Sequence, residues 1–377
     1  MTSRSRIVPA VLAVLIVGLT VTGVWAAVDR RAAADSGLDA PMAAAVAELQ
    51  AFVESARGLR FLEPVDVAVL SDFGFRRALS GGERVEESDA DVATGVLRAL
   101  GLLEPGDDLG AAGEFDPDTV AGFYDIETKE LIVRGTRLTP FVRQVLVHEL
   151  THALDDQHFD LDPDFVDDEA ALAFEALVEG NAVTVENRYL DSLSAADRRQ
   201  AKAEEDATFG PGGVSDIPEV FLQLGAFPYV DGPKLVAALL AAGGQARVDA
   251  AFQTPPTTSA EVLHPDRFLA GRARARVPAV VADGRIVDRG VVGELVLRLI
   301  LAESRPRDQA GRAAAGWAGD RYVAWETGNR TCVRTIVVLD TAADAAELVA
   351  ALRQWAADHA GTTVEPGASA VTFTRCA

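Results

Sequence analysis

The stretch His148-Glu149-Leu150-Thr151-His152 places two imidazoles four residues apart with a carboxylate between them. An α-helix turns once in 3.6 residues, so His148 and His152 stand one above the other and offer two nitrogen donors to a single cation, while Glu149 projects beside them. A carboxylate so placed can take a proton from water. Thiolate ligands play no part in such a centre, because the chain has only two cysteines, Cys332 and Cys376, both in its last 46 residues. Any metal must be held by His, Glu or Asp.

A catalytic zinc takes three protein ligands and keeps one position open for water, so a third donor is needed. Three residues compete for that role. His158 lies ten residues after His148, the spacing of the HExxHxxGxxH peptidases, but Asp155 occupies their glycine position and the two methionines, Met1 and Met42, are both upstream. Glu175 and Glu179 lie 27 and 31 residues after His148 in Phe174-Glu-Ala-Leu-Val-Glu-Gly-Asn-Ala182. A glycine inside a helix costs about 1 kcal/mol relative to alanine, so Gly180 implies a compensating close approach, expected here to the His148 helix. That favours Glu179 over Glu175 and His158. Glu186, farther along, reads as part of a solvated acidic face.

At these residues the chain resembles the gluzincins, zinc metallopeptidases with two histidines from HExxH and a glutamate from a following helix. Glu179-Gly180-Asn181-Ala182 is similar to the Glu-Gly-x-Ala of their aminopeptidase branch. Phe227-Pro-Tyr229-Val-Asp-Gly232 and the apolar helix after it are similar to the Tyr-x-x-Gly segment of that branch, whose tyrosine stabilises the oxyanion. The resemblance covers about Phe123 to Phe268 and implies a zincin-like core, one catalytic zinc on His148, His152 and Glu179, and a peptide or protein substrate. Glu149 would activate the water on that ion and pass its proton to the leaving amine. Tyr229 is the first candidate for the second oxyanion donor, with His264 in Leu263-His-Pro265 as the alternative. Asp155 and Asp156 are candidates to orient a ligand imidazole.

These residues need elements to hold them. Thr139-Pro140 is a strong helix start for Phe141 to Gln157, and Asp167 or Asp168 opens a second helix to about Leu190. Upstream, Met42 to Arg57 reads as a helix, Val65 to Leu70 as a strand, and a helix capped by Asp89 or Asp91 continues to Leu103. Gly122 to Arg134 reads as a hairpin whose Leu131 to Val133 strand could present a free edge to an extended peptide. From Arg321 on, strand, strand, helix, strand (Tyr322 to Glu326, Cys332 to Leu339, Ala342 to His359, Ala370 to Cys376) predict a small module in which Cys332 and Cys376 pair. The fold class is α+β: 1–28 transmembrane or signal segment, 29–40 tether, 41–118 N-terminal α/β region, 119–275 catalytic core with a helical lower part, 276–377 C-terminal α+β module.

Location follows from charge and hydropathy. Arg4 and Arg6 precede Ile7 to Val28, 22 residues without a charge, about the length that spans a bilayer core. An uncleaved anchor is favoured over a cleaved signal, with the rest of the chain outside the cytoplasm. Setting aside Arg4 and Arg6 leaves 33 basic against 57 acidic side chains, a balance that disfavours nucleic acid as a partner. The expected function is zinc-dependent peptide-bond hydrolysis outside the cytoplasm, by a membrane-anchored domain, or a secreted one if the N-terminal segment is cleaved. The rival is a zinc-binding but inactive scaffold protein of the cell envelope.

Overall fold

The computed structural model describes residues 40–79, 87–104, 107, 120–135, 137–208 and 217–377. The expected N-terminal anchor lies outside the described residues, as does nearly all of the tether. Among the described residues no single helix is long and apolar enough to cross a membrane. The architecture is α+β, with two small sheets separated by helices.

The first sheet has three strands, β1 (Asp66–Leu70), β2 (Gly122–Tyr124) and β3 (Glu130–Arg134), in the order β1-β3-β2. β2 and β3 form the expected hairpin, closed by Asp125, whose side chain accepts the N–H groups of Glu127 and Thr128. β1 pairs parallel to β3. The Leu131 to Val133 strand is therefore the middle of the sheet and offers no free edge, contrary to the expected substrate platform. Period-2 alternation divides its side chains between the two faces. Leu131 and Val133 pack with α1 (Ala40–Arg57) and α4 (Pro140–Asp156), while Ile132 packs with Phe123 and with Phe75 of α2 (Asp72–Leu79). A further helix, α3 (Glu87–Ala99), lies against the second sheet.

α4 begins as its sequence predicts: Thr139 Oγ1 accepts the Val142 N–H at 3.3 Å, with Pro140 in the first turn. α5 (Asp168–Ser192) starts likewise on the Asp167 carboxylate. Both helices are buried on most faces, as befits the centre of a helical layer. α6 (Ala195–Thr208), α7 (Glu219–Val230), α8 (Gly232–Gly243), α9 (Gln245–Gln253), α10 (Ser259–Leu263) and α11 (Pro265–Leu269) complete that layer.

Gly180 does mark a close approach, but to a different helix from the one expected. A Cβ on Gly180 would lie 2.2 Å from the Gly232 carbonyl carbon, and one on Gly232 would lie 2.1 Å from the Ala176 carbonyl oxygen. The two glycines thus bring α5 and α8 backbone to backbone. α4 meets α5 instead through a side-chain network described below.

The C-terminal part holds β4 (Arg285–Gly290), α12 (Gly293–Ala302), α13 (Arg307–Ala314), β5 (Trp317–Thr327), β6 (Arg330–Leu339), α14 (Ala342–Asp358), β7 (Thr363–Pro366) and β8 (Ala370–Cys376). Its five strands pair antiparallel in the order β4-β5-β6-β8-β7. Cys332 and Cys376 face each other in the β6–β8 register and form the expected disulfide. β4, α12, α13 and β7 were not foreseen. One apolar cluster runs from Leu177 of α5 through Leu239 of α8 to Ile300, Trp317 and Leu352, so packing is continuous across position 276.

Gly180→Ala must move backbone rather than a flexible side chain. The expected outcome is a loss of about 1–3 kcal/mol in urea unfolding, together with weaker metal retention; a variant of wild-type stability would show that the α5–α8 contact is not tight.

Candidate metal centre

α4 and α5 bring His148, His152 and Glu179 together, with one donor atom from each lying within 4.8 Å of the others and all three residues buried. His148 Nε2 is 3.1 Å and His152 Nε2 3.8 Å from Glu179 Oε2. Both ring nitrogens of His152 and Oε1 of Glu179 are buried with no hydrogen-bond partner. Buried polar atoms are rarely left so, and a shared cation is the partner that suits two imidazoles and a carboxylate together. The three residues could hold a metal ion. His158 stands apart from the group, its Nε2 2.8 Å from the Arg60 carbonyl oxygen, and Glu175 lies outside it as well.

The residues surrounding this group differ from those expected. Glu186 is not part of a solvated face: its carboxylate accepts from His148 Nδ1 at 2.8 Å and from Gln144 Nε2 at 2.6 Å. Seven residues after Glu179, it is nearly two turns along α5 and returns to the same face. It directs His148 Nε2 toward Glu179, the orienting role that sequence had offered to Asp155 or Asp156. Asp155 instead accepts from Arg57 Nε at 2.7 Å and from Asn181 Nδ2 at 2.6 Å, fully buried. Asp156 accepts from the Tyr124 hydroxyl at 2.7 Å and pairs with Lys129 at 2.6 Å. Neither aspartate touches an imidazole. The helical repeat could have signalled Glu186; nothing local signalled the Asp155–Arg57 pair.

Glu149 is 3% exposed and its Oε2 has no hydrogen-bond partner. Burial pushes its carboxyl up to about 8, the Glu179 charge adding to this while His148 and the Tyr124 backbone N–H oppose it. Glu179 is pushed up to about 7, again by burial, against the pull of His148 and the Tyr229 hydroxyl. Burial alone would lower His148, but its bonds to Glu179 and Glu186 raise it well above the ordinary imidazole value; burial and the neighbouring His148 charge lower His152.

Tyr229 occupies the last turn of α7, stacked on His148 with ring centroids 6.3 Å apart and planes at 22°. Its hydroxyl bonds to Glu179, and burial and the charges of Glu179, Glu175 and Glu149 hold it protonated. His264 is engaged elsewhere, its Nε2 2.8 Å from Glu294 Oε1 and 3.2 Å from an Arg298 nitrogen.

Residues 280–375 match the model of a family described as Domain of unknown function (DUF8575). The match runs from just before β4 into β8 and includes none of the metal group. No curated protein and no solved structure matches the chain.

Two outcomes follow. Glu186→Gln should weaken metal binding about 10- to 100-fold in a competition titration, whereas His158→Ala should leave it unchanged. Glu149 and Glu179 bind their protons more tightly folded than unfolded, so the stability they contribute is complete below the ordinary 4.5 and is lost as pH rises toward 7 to 8. Chelator-stripped protein should therefore lose several degrees of thermal midpoint between about pH 5 and about pH 8, and saturating metal should restore them.

Proposed function

We propose that the chain is a zinc metallopeptidase with a zincin-like core that cuts peptide bonds outside the cytoplasm. The observation that carries this reading is the convergence of His148, His152 and Glu179 beside Glu149, a buried carboxylate with a free oxygen. Two imidazoles and a carboxylate suit zinc and leave a ligand position open. The small sheet packed on α4, followed by a helical layer, supports the fold assignment.

When bound, a zinc ion supplies the charge that acidifies water and polarises a carbonyl. The chain's own residues do the rest. Glu149 takes a proton from a water molecule and delivers it to the departing amine; burial strengthens its hold on that proton between the two steps. Tyr229 donates its hydroxyl to the oxygen that gains charge as the carbonyl is attacked, and its stacking on His148 fixes the approach. Glu186 and Gln144 hold the His148 ring in orientation. A peptide or protein is the substrate this chemistry suits.

The disulfide between Cys332 and Cys376 supports an oxidising compartment. Anchoring through Ile7 to Val28 rests on sequence alone.

Wild-type protein loaded with zinc should hydrolyse an unstructured protein such as casein. Glu149→Gln should lower that rate by about 10²- to 10⁴-fold with zinc content unchanged, and Tyr229→Phe should lower kcat by about 10- to 10³-fold. Equal turnover by wild type and Glu149→Gln would remove the hydrolytic reading and leave the inactive zinc-binding scaffold.

A further inference from the structure

Glu175 is a buried acid near the metal group that the hydrolytic mechanism leaves unused. It lies on α5 one turn before Glu179, so the two carboxylates share a helix face, with Cβ atoms about 5–6 Å apart. It is 8% exposed, its Oε1 has no hydrogen-bond partner, and no ion pair or hydrogen bond among the described residues reaches it. Other buried carboxylates have donors. Asp155 has Arg57 and Asn181, Glu169 has the Ser259 N–H and hydroxyl, and Asp320 has two backbone N–H groups and the Trp317 indole.

Its neighbours on α5, Phe174, Ala176, Leu177 and Val178, are buried and apolar, so nothing in the packing of this helix calls for an acid at 175. Nor does Glu175 belong to the three-residue set that could hold the ion. The Glu179 charge acts on it and its own acts on Tyr229, so it lies near both the proposed ligand and the proposed oxyanion donor. A buried carboxylate without a partner is costly, and a cation brought to it from outside would offset that cost.

We propose that Glu175 receives a positively charged group of the peptide substrate beside the bond to be cut, either the free α-ammonium or a Lys or Arg side chain. This deepens the metallopeptidase reading and rests on it. One residue then gives the site a preference for cationic over neutral peptides.

The test uses the zinc-loaded protein and synthetic peptides in matched sets, with free or acetylated N-termini and with Lys or norleucine at each position in turn. Wild type should favour the peptides bearing the cation by about tenfold or more in kcat/KM, chiefly through KM, and Glu175→Gln should shrink that ratio to within about twofold. Loss of the preference on acetylation identifies the α-ammonium; loss on the norleucine exchange identifies the side chain. An unchanged ratio in Glu175→Gln, or no preference in wild type, overturns the proposal, as does loss of zinc from Glu175→Gln, which would make the residue a metal ligand. Calorimetric binding of the same peptides separates this idea from the hydrolase reading. If wild type cuts no peptide, the hydrolase reading fails; cation-dependent binding abolished by Glu175→Gln still upholds the role of Glu175, and binding blind to the cation overturns it.

Discussion

The Asp155 carboxylate holds the metal group in shape. It is fully buried, one oxygen taken by Arg57 from the end of α1 and the other by Asn181 of α5. Asp155 is three residues beyond His152 and Asn181 is two beyond Glu179, so this contact ties the histidine helix to the glutamate helix right beside the ligands. Arg57 also reaches Asp249 of α9, so four helices meet on one guanidinium–carboxylate cluster. Burial pushes the Asp155 carboxyl upward, and Arg57 and Asn181 pull the other way. Removing one partner of such a cluster costs far more than the cluster adds to stability, because the other charge is left without solvent or counter-charge. The network therefore specifies how α4 and α5 lie together more than it strengthens them.

Desolvation governs the chemistry as well. Glu149, Glu175 and Glu179 are all poorly hydrated. Burial raises the hold of all three on their protons, and the Glu179 charge adds to it at Glu149 and Glu175. Glu186 belongs to the same field but stays more exposed, which leaves it free to accept from His148. The burial that raises the Glu149 carboxyl also leaves the His148, His152 and Glu179 group able to hold a cation.

Much of the site was legible because its signals are local. HExxH on a capped helix needs only the 3.6-residue repeat to become two stacked imidazoles, and Asp167 and Thr139 cap as their residue types dictate. Glu179 followed from one glycine, although the reason attached to Gly180 named the wrong neighbour: the partner is Gly232, more than fifty residues on, and no helical pattern identifies which helix a glycine will meet. The parallel pairing of β1 with β3 is non-local in the same way. β4 escaped notice because Arg285, Asp288 and Arg289 give a short edge strand the composition of a loop, although Asp288 is buried and accepts from the Tyr322 hydroxyl. Glu186 was misjudged because an acid on a helix usually faces water; here the ring of His148 faces it instead.

The glycine-to-glycine seam between α5 and α8 has a mechanical meaning. Side chains in contact can swap rotamers and let two helices slip, but peptide planes pressed together have no such freedom. Glu179 rides on one helix, and Tyr229 lies just ahead of the other, across the short Val230-Asp231 link. The carboxylate and the phenol are consequently geared together, and their spacing can change little unless the seam itself parts.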